Sequence, residues 1–118
     1  MISREQALHF ADEWVAAWNA HDLDAVLAHY TEDFEMSSPF IQQMGISPDG
    51  RLKGKANVRN YWEKAMVNYP DLHFDLHEVL SCMNTVIIYY TSVKGKKAAE
   101  FFVFNEEGKV FQAMGHYN

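Results

Sequence analysis

Features that would mark a secreted, membrane-spanning or nucleic-acid-binding protein are scarce in this sequence. It contains one cysteine, Cys82. The N-terminal stretch MISREQALHF carries Arg4 and Glu5 where a secretory signal needs an unbroken apolar segment. Apolar runs such as Val86 to Ile88 are far too short to cross a bilayer. We therefore expect a soluble protein of the reducing cytoplasm with no membrane-embedded part.

Positive charge and nucleotide-binding motifs are scarce as well. The formal net charge is -6, and no basic cluster is denser than KGKK at residues 94–97. A surface of this kind repels phosphate backbones. No phosphate loop, dinucleotide fingerprint or nucleophile elbow is present. Nucleic acid is therefore not an expected partner, and no cofactor is predicted.

Apolar and aromatic residues are plentiful. Hydrophobic residues make up 48% and aromatic residues 14% of the 118 positions, which excludes a disordered chain. A chain of this length buries roughly two thirds of its unfolded surface, enough for a core that needs no disulfide or metal support. One domain spanning residues 1–118 is expected.

Three helices are predicted in the N-terminal half. Ser3 and Gln6 have the spacing of a capping box, and aromatic residues follow at helical intervals. Asp22 can cap a second, shorter helix. A third helix begins after Gly54 and ends before Pro70. The predicted bounds are residues 4–20, 22–30 and 55–69.

The remaining segments predict strands. After a turn at residues 31–33, a first strand, residues 34–38, alternates apolar and polar side chains. The segments HFDLHEVLSC, TVIIYYTSVK, AAEFFVF and KVFQAMGHY are separated by short polar turns typical of consecutive hairpins. Helices first and strands last indicate an α+β domain with a largely antiparallel sheet. The loop at residues 39–53 is too apolar for a solvated linker and is expected to cover part of the structure.

Hairpin pairing predicts which side chains share a face. A hairpin closed by Lys94 and Lys97 places Tyr89 opposite Phe102, and the next places Glu100 opposite Ala113. The predicted concave face carries Ile87, Tyr89, Thr91, Val93, Glu100, Phe102, Phe104, Phe111, Ala113, Gly115 and Tyr117. The predicted outer face carries Ile88, Tyr90, Phe101, Val103, Met114 and His116. Both faces are apolar and the helices can cover only one, so we expect a homodimer through the outer face.

The sequence resembles the NTF2-like superfamily, and within it the SnoaL-like group related to polyketide cyclases and ketosteroid isomerases. The resemblance rests on NAHDLDAVLAHYTEDFEMSSP, GRLKGKANVRNYW, YPDLHFDL and AAEFFVFNEEGKVFQAMGHY. It implies a cystatin-like cone, in which three N-terminal helices pack on a strongly bent, mostly antiparallel sheet. It also implies an internal cavity and dimerisation through the outer face of the sheet.

The same resemblance carries over site residues unevenly. The oxyanion-hole tyrosine of ketosteroid isomerases aligns with Trp14, and their general-base aspartate aligns with Ser38. Their second oxyanion-hole acid, an aspartic acid kept protonated by its apolar site, aligns with Glu100. A serine hydroxyl does not accept a proton at neutral pH, so ordinary steroid isomerisation is not expected.

Glu100 is the candidate catalytic residue. It lies between two alanines and the run FFVF, and a carboxyl group buried there would have a raised pKa suited to acid/base chemistry near pH 7. The alternative is a structural acid that bonds to Tyr89 or Thr91 across the strands, or one at an open rim of the cavity.

A ligand-binding cavity is predicted from the number of aromatic residues in a small domain. Each of these residues, taken alone, fits a core position as well. Ser38 either orients a ligand or leads into the turn at Pro39. The candidate ligand-binding residues are Trp14, Trp18, Met36, Ser38, Trp62, Tyr89, Thr91, Phe102 and Tyr117.

Histidine spacing argues against a metal site. His73 and His77 would suit a helix, but in a strand they lie about 13 Å apart at roughly 3.3 Å per residue. His29 has a potential local partner in Asp33.

Two functions are compatible with the sequence patterns: a cofactor-free enzyme that performs acid/base chemistry on an apolar or ring-containing ligand, and a non-catalytic ligand-binding or dimerisation module.

Overall fold

Six strands form one bent sheet with helices against one face, as shown by a computed structural model that describes all residues from 1 to 118. The strand order is β2-β1-β6-β5-β4-β3, antiparallel throughout except for the parallel pair β1 and β6. No helix combines the length and apolar character needed to cross a membrane. The helices are α1 (Arg4–Asn19), α2 (Leu23–Leu27), α3 (Pro39–Gln43) and α4 (Lys55–Asn68). The strands are β1 (Tyr30–Ser37), β2 (Arg51–Lys53), β3 (Asp75–Cys82), β4 (Thr85–Thr91), β5 (Lys97–Phe104) and β6 (Val110–Tyr117).

The capping signals locate the helix starts correctly. Ser3 and Gln6 form the predicted capping box of α1, and Asp22 accepts a hydrogen bond from the Ala25 amide at the start of α2. However, α2 ends at Leu27 and Tyr30 already belongs to β1, so the predicted helix end and the turn at residues 31–33 are wrong. Tyr30 pairs with Val110 of β6, and this long-range strand pairing outweighs local helix preference.

The apolar loop at residues 39–53 contains two short elements, α3 and β2. Ser38 caps α3 by accepting a hydrogen bond from the Phe40 amide at 3.2 Å, so it leads into a short helix at Pro39. Whether Ser38 also orients a ligand stays a prediction. Ile41 of α3 is fully buried, which explains the apolar character of the loop.

The register of the β4–β5 hairpin differs from the prediction. Thr91 pairs with Lys97, and a five-residue connection that includes Lys94 in the left-handed region (φ 59°) joins the two strands. The predicted closing pair was displaced by an odd number of residues, and such a shift turns a strand over. Ile88 and Tyr90 therefore lie in the core, while Ile87, Tyr89 and Thr91 face outward.

The β5–β6 hairpin is shifted by two residues, which preserves the face. Glu100 pairs with Gly115 instead of Ala113, and both glutamate and glycine remain on the concave side. A bulge between Val103 and Phe104 places Val110 inward. Phe111, predicted on the concave side, is consequently 41% exposed.

The end of α1 is fixed to the segment before β3. Asn19 accepts a hydrogen bond from the Phe74 amide at 2.7 Å and donates one to the Phe74 carbonyl at 3.1 Å. The His21 ring contacts the Leu72 carbonyl at 2.9 Å. These bonds hold Phe74 and Leu72 over the concave face beside Trp18 of α1.

Phe102 tests the observed register. It is fully buried and packs edge-on against Phe10 and Trp14, so Phe102→Ala is expected to lower the free energy of unfolding by about 3–5 kcal/mol. Phe111→Ala, at a half-exposed position of the same sheet, is the matched control with a clearly smaller loss. Urea unfolding measures both, and equal losses would contradict the register.

Candidate functional site

A largely apolar cavity lies between the helices and the concave face. Its volume is about 80 Å³. Glu100 is the only acidic residue in its lining. The lining consists of Trp14, Trp18, Met36, Phe40, Tyr61, Trp62, Ala65, Tyr69, Leu72, Phe74, Tyr90, Ser92, Val93, Glu100 and Tyr117.

Glu100 is buried in this cavity without a cationic partner. Its exposed fraction is 3%, and none of the ion pairs of the protein includes it. The Tyr90 hydroxyl donates to Oε1 of Glu100 at 3.4 Å. Burial raises the pKa of Glu100 to about 8, and the hydrogen bond from Tyr90 only partly opposes this effect. The carboxyl group is therefore mostly protonated at neutral pH.

Hydroxyl groups connect Glu100 to the wall of the cavity. The Tyr117 hydroxyl of β6 lies near Tyr90 and Ser38, and the Tyr61 hydroxyl of α4 lies 3.5 Å from Ser38 Oγ. Burial raises the pKa of all three tyrosines, with the charge of Glu100 as a further cause. These phenols therefore remain protonated and can donate to an oxygen atom.

Aromatic rings form the wall opposite these hydroxyls. Trp14 Nε1 donates to the Tyr30 hydroxyl at 3.0 Å, which engages its indole N–H inside the protein. Trp18 packs edge-on against Trp62, with ring centroids 5.0 Å apart. Tightly packed rings of this kind make a rigid apolar surface suited to a flat ligand.

Six of the predicted site residues line the cavity: Trp14, Trp18, Met36, Trp62, Glu100 and Tyr117. Phe102 is a fully buried core residue outside the cavity lining, and Ser38 Oγ contacts the Tyr61 hydroxyl. Tyr89 and Thr91 were wrongly placed, because the β4 register turns them outward: Tyr89 is 39% exposed, and Thr91 bonds to His77. Whether the six bind a ligand stays a prediction.

Tyr90 is the site residue that sequence reasoning placed on the wrong face. A signal for it was available, since Val86, Ile88 and Tyr90 form a more apolar set than Ile87, Tyr89 and Thr91. Phe40 also lines the cavity and lies in α3, a short helix within a segment that was predicted as a loop, so its orientation could not be predicted from periodicity.

The histidines are dispersed. His29 lies 3.9 Å from Glu13, not beside Asp33 as predicted, and His73 lies 3.3 Å from Asp75 in the segment entering β3. No group of three or more His, Cys, Asp or Glu side chains is arranged to hold a metal ion.

Comparison with known proteins identifies the family. The sequence-family model of the SnoaL-like domain matches residues 11–117 of this chain. The chain belongs to the SnoaL-like family. No protein of curated function matches the sequence significantly.

Solved structures agree with this assignment. A SnoaL-like protein of unknown function from Burkholderia thailandensis is 46% identical, with a TM-score of 0.96 over 99% of this chain and 98% of that one. AclR from Streptomyces galilaeus, a proposed hydroxylase, is 20% identical, with a TM-score of 0.76 over 98% and 91%. A proposed isomerase of the SnoaL-like family from Agrobacterium tumefaciens is 17% identical, with a TM-score of 0.76 over 97% and 98%. At these lower identities the likeness shows the fold alone.

The raised pKa of Glu100 predicts a pH-dependent stability difference. The folded protein holds a proton on Glu100 that the unfolded chain releases above its ordinary pKa of 4.5. The contribution of Glu100 to the free energy of unfolding is therefore fully present below about pH 4.5 and is lost as the pH rises toward 8. Relative to wild type, Glu100→Gln is expected to gain stability over this interval, on the order of a few kcal/mol.

Urea unfolding of both proteins between pH 4 and pH 9 measures the difference. Glu106→Gln, in the exposed turn before β6, is the matched control and should follow wild type. A difference between Glu100→Gln and wild type that is independent of pH would show an ordinary pKa for Glu100.

Proposed function

We propose that this SnoaL-like protein binds a small ring-containing carbonyl compound in the cavity and moves a proton beside the carbonyl group without a cofactor. The observation that carries the proposal is the buried, cation-free carboxyl group of Glu100 in the lining of an aromatic cavity. A carboxyl group with a pKa near 8 can donate a proton and take one back within the same pH range.

The hydroxyl groups supply the binding end of the site. Tyr90 and Tyr117 are protonated donors beside Glu100. In a largely apolar cavity, such donors stabilise the negative charge that develops on a carbonyl oxygen during enolisation. The ring of the ligand would lie between Trp14, Trp18 and Trp62, whose apolar surfaces need no polar partner.

Cavity volume restricts the ligand. A volume of about 80 Å³ is below the roughly 150 Å³ of a protein cavity that binds benzene, so even a ligand with one small ring requires lining side chains to shift. Pockets for larger ligands typically measure about 300–1,000 Å³. A polycyclic ligand would require a larger movement of the lining. We therefore propose a single-ring ketone or a compound of similar size.

One observation favours the non-catalytic alternative. Glu100 is the only carboxyl group in the lining, and the Ser38 hydroxyl already caps α3. No second base is available to divide the proton transfers, so Glu100 would have to perform both. A protein that only binds the ligand is the competing function.

Proton exchange on cyclohexanone tests the proposal. In D₂O, the protein is expected to accelerate deuterium incorporation next to the carbonyl, and Glu100→Gln is expected to lower the acceleration by about 100-fold or more. Proton NMR follows the exchange, and Glu106→Gln is the matched control. All three tryptophans line the cavity, so their indole signals report whether cyclohexanone binds.

The outcomes separate the two functions. Binding with unaccelerated exchange would support the non-catalytic alternative. Unperturbed indole signals at saturating cyclohexanone would contradict a cavity for small ring ketones.

We also propose a homodimer through the outer sheet face, with a corrected residue set. Phe101, Val103 and Met114 face outward as predicted, whereas Ile88 and Tyr90 are core residues. Ile87 and Tyr89 take their places on β4. The apolar surface that results covers adjacent strands and has no helix over it, which favours burial against a second copy.

Sedimentation velocity tests the dimer. Wild type is expected to sediment as a dimer, and Tyr89→Asp as a monomer, because the new charge would be buried without a partner. Val67→Asp introduces the same charge at a position 79% exposed on α4 and should remain dimeric. A monomeric wild type would contradict the proposal.

A further inference from the structure

Gly115 faces the cavity from β6 and lacks a side chain at the point where one would meet Glu100. It pairs directly with Glu100 across the β5–β6 hairpin. Its inward neighbours on the strand, Ala113 and Tyr117, both carry side chains. Its φ lies outside the left-handed region, so backbone conformation does not require glycine here.

The space beside Gly115 is filled by atoms of the site. A Cβ atom built on Gly115 would lie 3.2 Å from Glu100 Oε1, 3.2 Å from the Tyr117 hydroxyl and 3.2 Å from Tyr117 Cε2. Each distance is shorter than an ordinary van der Waals contact. The two groups that lie where a methyl group on residue 115 would be are the carboxyl group of Glu100 and the phenol of Tyr117.

We infer that Gly115 is a positioning residue: its missing side chain leaves the space that the Glu100 carboxyl group and the Tyr117 hydroxyl approach in the wall of the cavity. The role rests on the proposed function of Glu100, since it matters only if that carboxyl group acts on a ligand.

A methyl group at residue 115 can be accommodated, because the cavity lies beside both neighbours. The Glu100 carboxyl and the Tyr117 ring would each move by a few tenths of an ångström toward that empty space. The hydrogen bond from Tyr90 to Glu100 is already long at 3.4 Å, so we expect a displacement of the carboxyl group to weaken or break it.

Loss of the hydrogen bond from Tyr90 would raise the pKa of Glu100. The hydrogen bond from Tyr90 lowers the pKa of Glu100 and burial raises it. Gly115→Ala removes the first influence and adds an apolar group that strengthens the second. The other titratable groups that act on or near Glu100 are the buried phenols of Tyr30, Tyr61 and Tyr117, which remain neutral in this range.

Infrared titration of the protonated carboxyl band tests the inference. The band is assigned by its absence in Glu100→Gln. In Gly115→Ala, the midpoint of the band is expected at a higher pH than in wild type. The infrared band of the Tyr117 hydroxyl is expected to shift as well.

Val110→Ile is the matched control, because it adds one carbon atom at a fully buried position of the same strand, opposite Phe104 and away from the carboxyl group. It should lower the melting temperature without moving the band. A melting temperature lowered in Gly115→Ala with an unmoved midpoint, or a midpoint moved to lower pH, would overturn the positioning role. A wild-type midpoint near the ordinary glutamate pKa would instead contradict the proposed function.

Activity separates positioning from folding. In the cyclohexanone exchange assay, Gly115→Ala is expected to lose at least tenfold in rate at saturating ketone while retaining binding, as reported by the indole signals. A variant that binds and exchanges like wild type would also overturn the inference.

Discussion

Burial of one carboxyl group without a neutralising cation is the constraint on which the candidate site depends. Ionised, Glu100 would lose its hydration and gain only the long hydrogen bond from Tyr90. Such a group responds by retaining its proton. The surroundings of Glu100 favour the protonated form: phenols of the cavity act as neutral donors, apolar rings surround the carboxyl group, and no lysine or arginine pairs with it.

The bend of the sheet makes this burial possible. Register shifts interrupt the ladders of β1 with β6, β3 with β4, and β5 with β6. Bulges of this kind bend a strand and increase its twist. The concave side can then hold a cavity under α1 and α4 instead of a flat, fully packed interface.

The architecture and the key acid could be predicted from the sequence, whereas the orientation of β4 could not. Helix caps are local and depend on hydrogen bonds within a few residues, which is why Ser3 and Asp22 were located correctly. The face of Glu100 followed from its alternation with Phe102 along one strand. Orientation of β4 depended on a loop in which Lys94 adopts a left-handed conformation, and a lysine gives little sign of that. One uncertain turn therefore exchanged Tyr89 for Tyr90 at the site.

The parallel pair of β1 and β6 has a consequence for folding. β6 is the sixth strand along the chain but lies inside the sheet, between β1 and β5. Until it is in place, β1 and β2 have no ladder connecting them to the other three strands. Contacts between residues so far apart in sequence form slowly because a long loop must first close. During synthesis on the ribosome, the two portions of the sheet would thus wait as separate, partly exposed units until β6 emerges and joins them.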